Sequence, residues 1–526
     1  MVPELMKGLY LSLALTLWFA VPLRTPQRAP GPTNFVLEEA TTATIHAAFA
    51  SGRLTCVQLV ESYLKRIETY DDRGPALNAI LTINPKALET AAQMDRVYSA
   101  NRSAVPRLHC IPIILKDNYD TADMPTTGGS LGLARSVPFQ DAFVVKKLRD
   151  AGALILAKAN MTEFALGGSS LSSLGGQTRN PYDLTRTPGG SSGGTGASIA
   201  ANFALLGTGS DTGQSIRSPA SAQSLVGIRA TQGLVSRRGI IPASTTQDEV
   251  GPITRTVEDA ARALDVMAGY DPGDPITAFS LGKIPPTYTA FLDRNGLKGS
   301  RIGVLLDFFG NDAIHRDVNA IVENAILKMT NAGATIVRIR IPDLSELTRN
   351  LQLTEYEFKP AFNKYLASLG ARAPVKTLQE YIARGEFHNS IKSSLNAYQR
   401  VDDGLNNPEY KERLLRRIGL RQAVMTIMAE NKLDAILYPH QKRLVVPIGE
   451  EQVDRNGVLS NSTGFPAITF PGGFSSPTTV APQGVPVGIE LLGTEWSEPV
   501  LIKLAYAYEQ FARIRKQPAS TPPLTR

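Results

Sequence analysis

The sequence predicts an α/β fold in which one mixed central β-sheet is covered by helices on both faces. Three observations carry that prediction. Short apolar runs alternate with amphipathic helical stretches from about Phe35 onward, the pattern of strands buried between helical layers. Two helical stretches end at a glycine, Gly152 and Gly333, and a strand-like run follows each at once. No internal repeat or change of charge regime divides the 526 residues, so they read as one large domain. Hydrophobic residues make up 43% and charged residues 20%, which excludes a mainly disordered chain.

Taken in order, the chain begins with Lys7, an apolar run from Gly8 to Leu23, and Arg24. That run is shorter than the ~20 residues of a spanning helix and matches a basic n-region followed by a signal h-region. Residues 1–24 are therefore expected to be a signal peptide, or an N-terminal anchor if cleavage fails beside the bulky Trp18. Residues 25–34 form a Pro-rich linker, and 35–520 the folded domain. Thr55 and Gln58 fit a capping box opening a helix through about Ile67. Asp141 is placed as the cap of a helix carrying Val144, Val145, Leu148 and Ala151, with a buried strand at Ala153–Ala157. Ile302–Leu306 reads as a strand, Val318 to Met329 as the apolar face of a helix, and Thr335–Ile341 as β-rich. Asp434–Tyr438 and Ala467–Phe470 are further short strands. Residues 342–424 are different: helical, charged and aromatic, a layer over the sheet and a variable cap that shapes a substrate pocket.

Composition narrows the function. Lys plus Arg total 55 against 48 Asp plus Glu, a net +7 without a long basic run, so nucleic acid is not an expected partner. Cys56 and Cys110 are too few for a disulfide framework, and no Cys/His cluster offers a zinc site.

Pro188 to Pro219 carries the chemistry. Its clustered glycines and hydroxyls suit a backbone that approaches a ligand closely or aims successive N–H groups at an anion. Phe203–Leu206 within it looks like a strand, which argues against a flexible linker. No lysine follows the glycines as a P-loop requires, and Gly207-x-Gly209 lacks the third Rossmann glycine. Gly128-Gly129-Ser130-Leu131-Gly132 matches G-x-S-x-G, but a polar stretch with Pro125 precedes it where a nucleophile elbow needs a strand. The five histidines are scattered and suggest no Ser-His-Asp triad. Lys116 directly follows the apolar run Ile111–Leu115, at the end of a buried strand. Desolvation there lowers a lysine pKa from the ordinary ~10.4, and a neutral amine can take a proton.

Together these segments resemble the amidase signature family, from about Phe35 to about Ala512. The matching residues are Leu115-Lys116-Asp117, Gly189–Gly194, Asp211–Arg217, Gly175–Pro181 and Gly464–Ile468. The resemblance implies a single amidase-signature domain with a Ser-Ser-Lys triad and neither metal nor cofactor. Ser215 would be the nucleophile, Ser191 the bridging serine after a cis peptide bond at Gly190, and Lys116 the base. Backbone N–H groups of Thr212, Gly213, Gln214 and Ser215 would form the oxyanion hole, with Asp211 and Arg217 bracing that loop and Ala165 lining the acyl pocket. Two residues depart from the family pattern. Gln214 stands where glycine is usual: at positive φ it is strained by roughly 1–2 kcal/mol, otherwise its amide is free to meet substrate. Cys110 also replaces a common glycine and reads as a small buried apolar residue without a catalytic role.

The resemblance implies amide hydrolysis but leaves the substrate open. Similar enzymes cleave fatty-acid, aryl or C-terminal peptide amides, and one branch is the ammonia-generating amidotransferase subunit. Ser236–Pro242 and Gln247–Pro252 look closest to peptide-amidase-like members. The expectation is a secreted or periplasmic hydrolase of a small or peptide-derived amide, bound to a membrane only through an uncleaved N-terminal anchor. The alternatives are an ammonia-generating component of an amidotransferase, an esterase using the same site, and a non-catalytic binding module, which should lack a triad member where here Lys116, Ser191 and Ser215 are all present.

Overall fold

The computed structural model describes residues 35–102 and 105–524; the N-terminal segment and the Pro-rich linker lie outside them. Among the described residues the thirteen strands are β1 Ile80–Ile83, β2 Pro112–Lys116, β3 Leu154–Ala159, β4 Leu171–Ser172, β5 Gly176–Gln177, β6 Leu206–Asp211, β7 Val226–Arg229, β8 Glu249–Thr254, β9 Arg301–Leu305, β10 Thr335–Ile339, β11 Ala435–Pro439, β12 Ala467–Phe474 and β13 Pro486–Leu492. Eleven form one sheet in the order β1-β3-β2-β6-β8-β7-β12-β13-β11-β9-β10, and β4 pairs with β5 apart from it. β3-β2-β6 and β11-β9-β10 are parallel, while β8, β7, β12 and β13 join them antiparallel. This is a mixed α/β sheet with helices packed around it, as the sequence predicts.

Local signals place the elements. Thr55 caps the helix Cys56–Tyr70 with the full capping box, Gln58 answering from the third helical position. The helix Phe143–Asp150 buries Val144, Val145 and Leu148. Gly152 then turns the chain at φ +86°, where a Cβ would stand 3.0 Å from the His109 Cα, and β3 follows. The helix Arg316–Asn331 buries Val318, Val322, Ala325, Ile326 and Met329 as read from the sequence.

Three expectations are corrected. Asp141 does not cap Phe143–Asp150, whose N-cap is Ala142 without a side-chain bond. Its carboxylate instead accepts from the Ala122 N–H and pairs with Arg149 at 2.9 Å. The strand placed at Phe203–Leu206 begins only at Leu206 and runs to Asp211; Phe203 to Leu205 are buried approach residues, apolar for burial and not for pairing. Cys110 is no isolated apolar residue: it is disulfide-bonded to Cys56 across 54 residues, Cα–Cα 5.8 Å. It sits at φ +52°, the left-handed conformation that makes glycine common at such a place.

Residues 342–424 are helical and hold no strand. Their aromatics Phe358, Phe362, Tyr365 and Tyr381 form a cluster of their own with Phe164, whose ring lies 5.0 Å from Phe362 and 5.2 Å from Tyr381. The layer therefore fixes the residue next to Ala165. No helix among the described residues is long and apolar enough to cross a membrane.

Candidate active site

β2 and β6 run parallel with Ile114 opposite Gly207, so their C-terminal ends finish side by side, at the edge where open α/β sheets gather ligand-binding residues. Lys116 ends β2 with every residue of that strand buried. Its Nζ lies 2.7 Å from Ser191 Oγ, 2.9 Å from Ser210 Oγ and 3.1 Å from the Ser210 carbonyl. Burial pushes the Lys116 ammonium down from 10.5 to about 7, against the upward pull of the Asp211 and Asp248 carboxylates. Ser210, not singled out in the sequence, also accepts from Asn118 Nδ2 at 2.9 Å. The sequence signal that could have marked it is the alternation of hydroxyls at Thr208 and Ser210, which fall on the buried strand β6, where the Thr208 hydroxyl accepts from the Lys116 N–H at 3.3 Å.

Ser191 stands where the glycine-rich segment turns into the helix Gly193–Ala200, and the Gly190–Ser191 peptide is cis. The glycines there mark close backbone approach: a Cβ on Gly194 would stand 2.2 Å from the Asn160 carbonyl. The Ser191 carbonyl accepts from the Thr162 N–H at 3.0 Å, and the next N–H, of Ser192, donates to the Ser215 carbonyl at 3.3 Å. The fold thus brings Lys116, Ser191 and Ser215 to one place from three separate segments.

The loop after β6 is built with its acceptors turned outward. Arg217 Nη2 donates to the Gly213 carbonyl at 2.7 Å, and the Ser218 N–H to the Gln214 carbonyl at 2.7 Å. The Asp211 carboxylate accepts from the Ile216 N–H and pairs with Arg217 at 3.0 Å and Arg229 at 3.1 Å. Arg217 also holds Glu490 at 2.7 Å, and His440 Nδ1 lies 2.7 Å from that carboxylate. Burial opposes ionisation of Asp211, but the two guanidinium groups hold its carboxyl well below the usual range. The Thr212 hydroxyl donates to Asp248 at 2.6 Å. Gly457 presses on the loop from outside, where a Cβ would stand 2.7 Å from the Gly213 carbonyl. With the carbonyls engaged, the N–H groups of Thr212, Gly213, Gln214 and Ser215 make no hydrogen bond within the described residues. Four consecutive free donors form a nest for a negatively charged oxygen.

A cavity of about 220 Å³ opens over this loop, lined by residues 212–215 and Ala165. The helical region supplies Gln352, Thr354 and Tyr398 to its wall. Arg455 completes the wall; nothing in the sequence marked it. Gln214 is not among the residues at positive φ, so it carries no left-handed strain. In the amide orientation that satisfies both groups, its oxygen faces Arg455 and accepts from Nε and Nη1 at 3.0 Å each.

The rejected readings stay apart from this site. Ser130 caps the short turn Leu131–Leu133, and its Oγ pairs with the Tyr381 hydroxyl. His440 faces Glu490 behind the loop. No cluster of three or more His, Cys, Asp or Glu side chains among the described residues could hold a metal ion.

Comparison with known proteins identifies the family and the fold. The family profile described as Amidase matches residues 58–502. A probable amidase of Arabidopsis thaliana is 36% identical over 506 residues, covering 92% of each chain. A glutamyl-tRNA(Gln) amidotransferase component of the A type, from an Exiguobacterium species, is 36% identical over 89% of this chain and 96% of its own. The crystal structure of peptide amidase from Stenotrophomonas maltophilia superposes with a TM-score of 0.83 at 36% identity, covering 91% of this chain and 98% of that one. The chain belongs to the amidase signature family, whose members hydrolyse amide C–N bonds.

Proposed function

We propose that this enzyme cleaves a carboxylic amide to acid plus ammonia or amine through an acyl-enzyme on Ser215, with Ser191 relaying protons to and from Lys116. The observation that carries the reading is the 2.7 Å contact between a fully buried Lys116 and Ser191, in surroundings that bring the amine down to about 7, so that a large share of it is neutral at neutral pH. A neutral amine has two N–H bonds and one lone pair. The two Ser210 oxygens take the N–H bonds, and the lone pair faces the Ser191 hydroxyl.

Ser191 then gives its proton to Lys116 as it takes one from Ser215, and Ser215 Oγ attacks the amide carbonyl. The N–H groups of residues 212–215 stabilise the oxyanion, each such donor being worth ~3–4 kcal/mol of barrier. Lys116, now charged, returns its proton through Ser191 to the departing nitrogen, and the C–N bond breaks. Water enters by the same relay and releases the acid, restoring Ser215 and neutral Lys116.

The substrate proposed is a small or peptide-derived amide, supported by the likeness to peptide amidase. The related amidotransferase component makes ammonia release from glutamine the contrasting assay. Location outside the cytoplasm is proposed from the N-terminal n- and h-regions, and the Cys56–Cys110 disulfide suits an oxidising compartment.

The test is intact mass after incubation with a serine-directed fluorophosphonate, wild type beside Ser215→Ala. One label on wild type and none on the variant is expected. Equal labelling of both, or of neither, overturns the assignment of Ser215.

A further inference from the structure

We infer that Arg455, held in place by Gln214, is a specificity-determining residue that donates to an acceptor oxygen on the acyl side of the substrate. This rests on the amide-hydrolase reading above and extends it to the substrate class: amides whose acyl portion carries a second carbonyl or carboxylate.

Arg455 lines the cavity that holds Ser215 and is the one charged residue on that wall among the described residues. With the Gln214 amide oriented to satisfy both groups, its oxygen takes the Nε and Nη1 donors, and Nη2 packs so tightly over Gly168 that a Cβ there would stand 2.6 Å from it. Among the described residues Arg455 makes no ion pair within 4 Å, and the Glu451 carboxylate acts on it only from farther away, too weakly to offset the effect of burial on the guanidinium. Backbone on both sides is anchored: Arg455 bridges to Gln441, Asn456 Nδ2 donates to the Phe308 and Pro439 carbonyls at 2.9 and 2.7 Å, and Gly457 abuts the loop. A guanidinium fixed in direction, without an ion-pair partner and beside the nucleophile has donors left for a substrate oxygen. Gln214 thereby gains a purpose for its side chain: it aims Arg455 while its N–H serves the loop.

The experiment compares kcat/KM for three amides: N-acetyl-leucinamide with a neutral second carbonyl, succinamic acid with a carboxylate, and 4-methylpentanamide with neither. Each is measured with wild type, Arg455→Met and Arg455→Lys. The expected result is a loss of roughly 10- to 100-fold in Arg455→Met on one or both acceptor-bearing amides, mostly in KM. The change on 4-methylpentanamide stays within about threefold, and Arg455→Lys recovers part of the loss. The amide that loses more names the acceptor. An equal fall on all three amides, or none on any, overturns the inference while leaving the amidase reading intact. Wild type that hydrolyses none of the three and takes no fluorophosphonate overturns both.

Discussion

The lysine makes the sharpest prediction. If neutral Lys116 is the base, kcat/KM rises with pH as the free enzyme loses one proton, with a midpoint near the value burial imposes, about 7. The neutral fraction is then about 9% at pH 6, about 50% at pH 7 and about 91% at pH 8. The rate therefore climbs about tenfold from pH 6 to 8 and is level within about 10% from pH 8 to 9. A lysine left at its ordinary value climbs about 100-fold over the first interval and about tenfold more over the second. Ammonia release from a substrate without titrating groups, at constant ionic strength and with rates shown to be insensitive to viscosity, separates these outcomes. A flat profile from pH 6 to 9, or a rise continuing through pH 9, refutes the argument. Stability gives a second reading. A folded value near 7 below an unfolded value near 10.5 means the unfolded chain binds the extra proton between those limits, so the Lys116 contribution to stability improves as pH rises from about 7 to 10.5 and is level below 7. The full span is worth roughly 5 kcal/mol. The stability difference between wild type and Lys116→Met, followed by urea titration, should grow more favourable to wild type across that window and nowhere else.

Two further predictions concern the supports of the site. Replacing both Cys56 and Cys110 by Ser frees a 54-residue loop, which chain entropy values at about 4 kcal/mol; the melting temperature should fall by a few degrees, and reductant should lower it in wild type but not in the variant. Arg217→Met leaves Asp211 and Glu490 each short of a buried cation, at a cost of about 3–5 kcal/mol; with less compensation Asp211 pulls harder on Lys116, so urea midpoint and rate midpoint should move in opposite senses, the first down and the second to higher pH.

The parts legible in the sequence were those with local causes. Thr55 and Gln58 announce their helix three residues apart, Gly152 announces a left-handed turn, and Lys116 follows an apolar run whose burial both makes the strand and lowers the amine pKa. The glycines of residues 189–194 announced close backbone approach, and the cavity-lining helices announced themselves by aromatic content. What escaped reading depends on partners far along the chain. Cys56 and Cys110 are adjacent only because the helix Cys56–Tyr70 packs beside the start of β2. Asp141 has the composition of a cap, yet Arg149 and the Ala122 N–H claim it. Ser210 became a lysine ligand through the register of β6 against β2, and Arg455 became a cavity wall because a distant segment folds back onto the loop. Gln214 looked like a liability beside the nucleophile until its partner was in view.

The electrostatics explain why so many charges surround a residue that must be neutral. Asp211 and Asp248 both favour protonated Lys116, and two bare carboxylates nearby would restore an ordinary lysine. Asp211, however, is compensated by Arg217 and Arg229, and Asp248 spends its oxygens on the Thr212 hydroxyl and the Ala243 and Ser244 N–H groups, while burial raises its own pKa. The same contacts turn the loop carbonyls outward and so expose the four N–H donors. One network therefore does two jobs: it aims the oxyanion hole and it screens the base from the anions that hold the hole in place. A substitution that relaxes the network should lose both together, which is why the rate midpoint of Arg217→Met, and not its rate alone, tells a brace from a bystander.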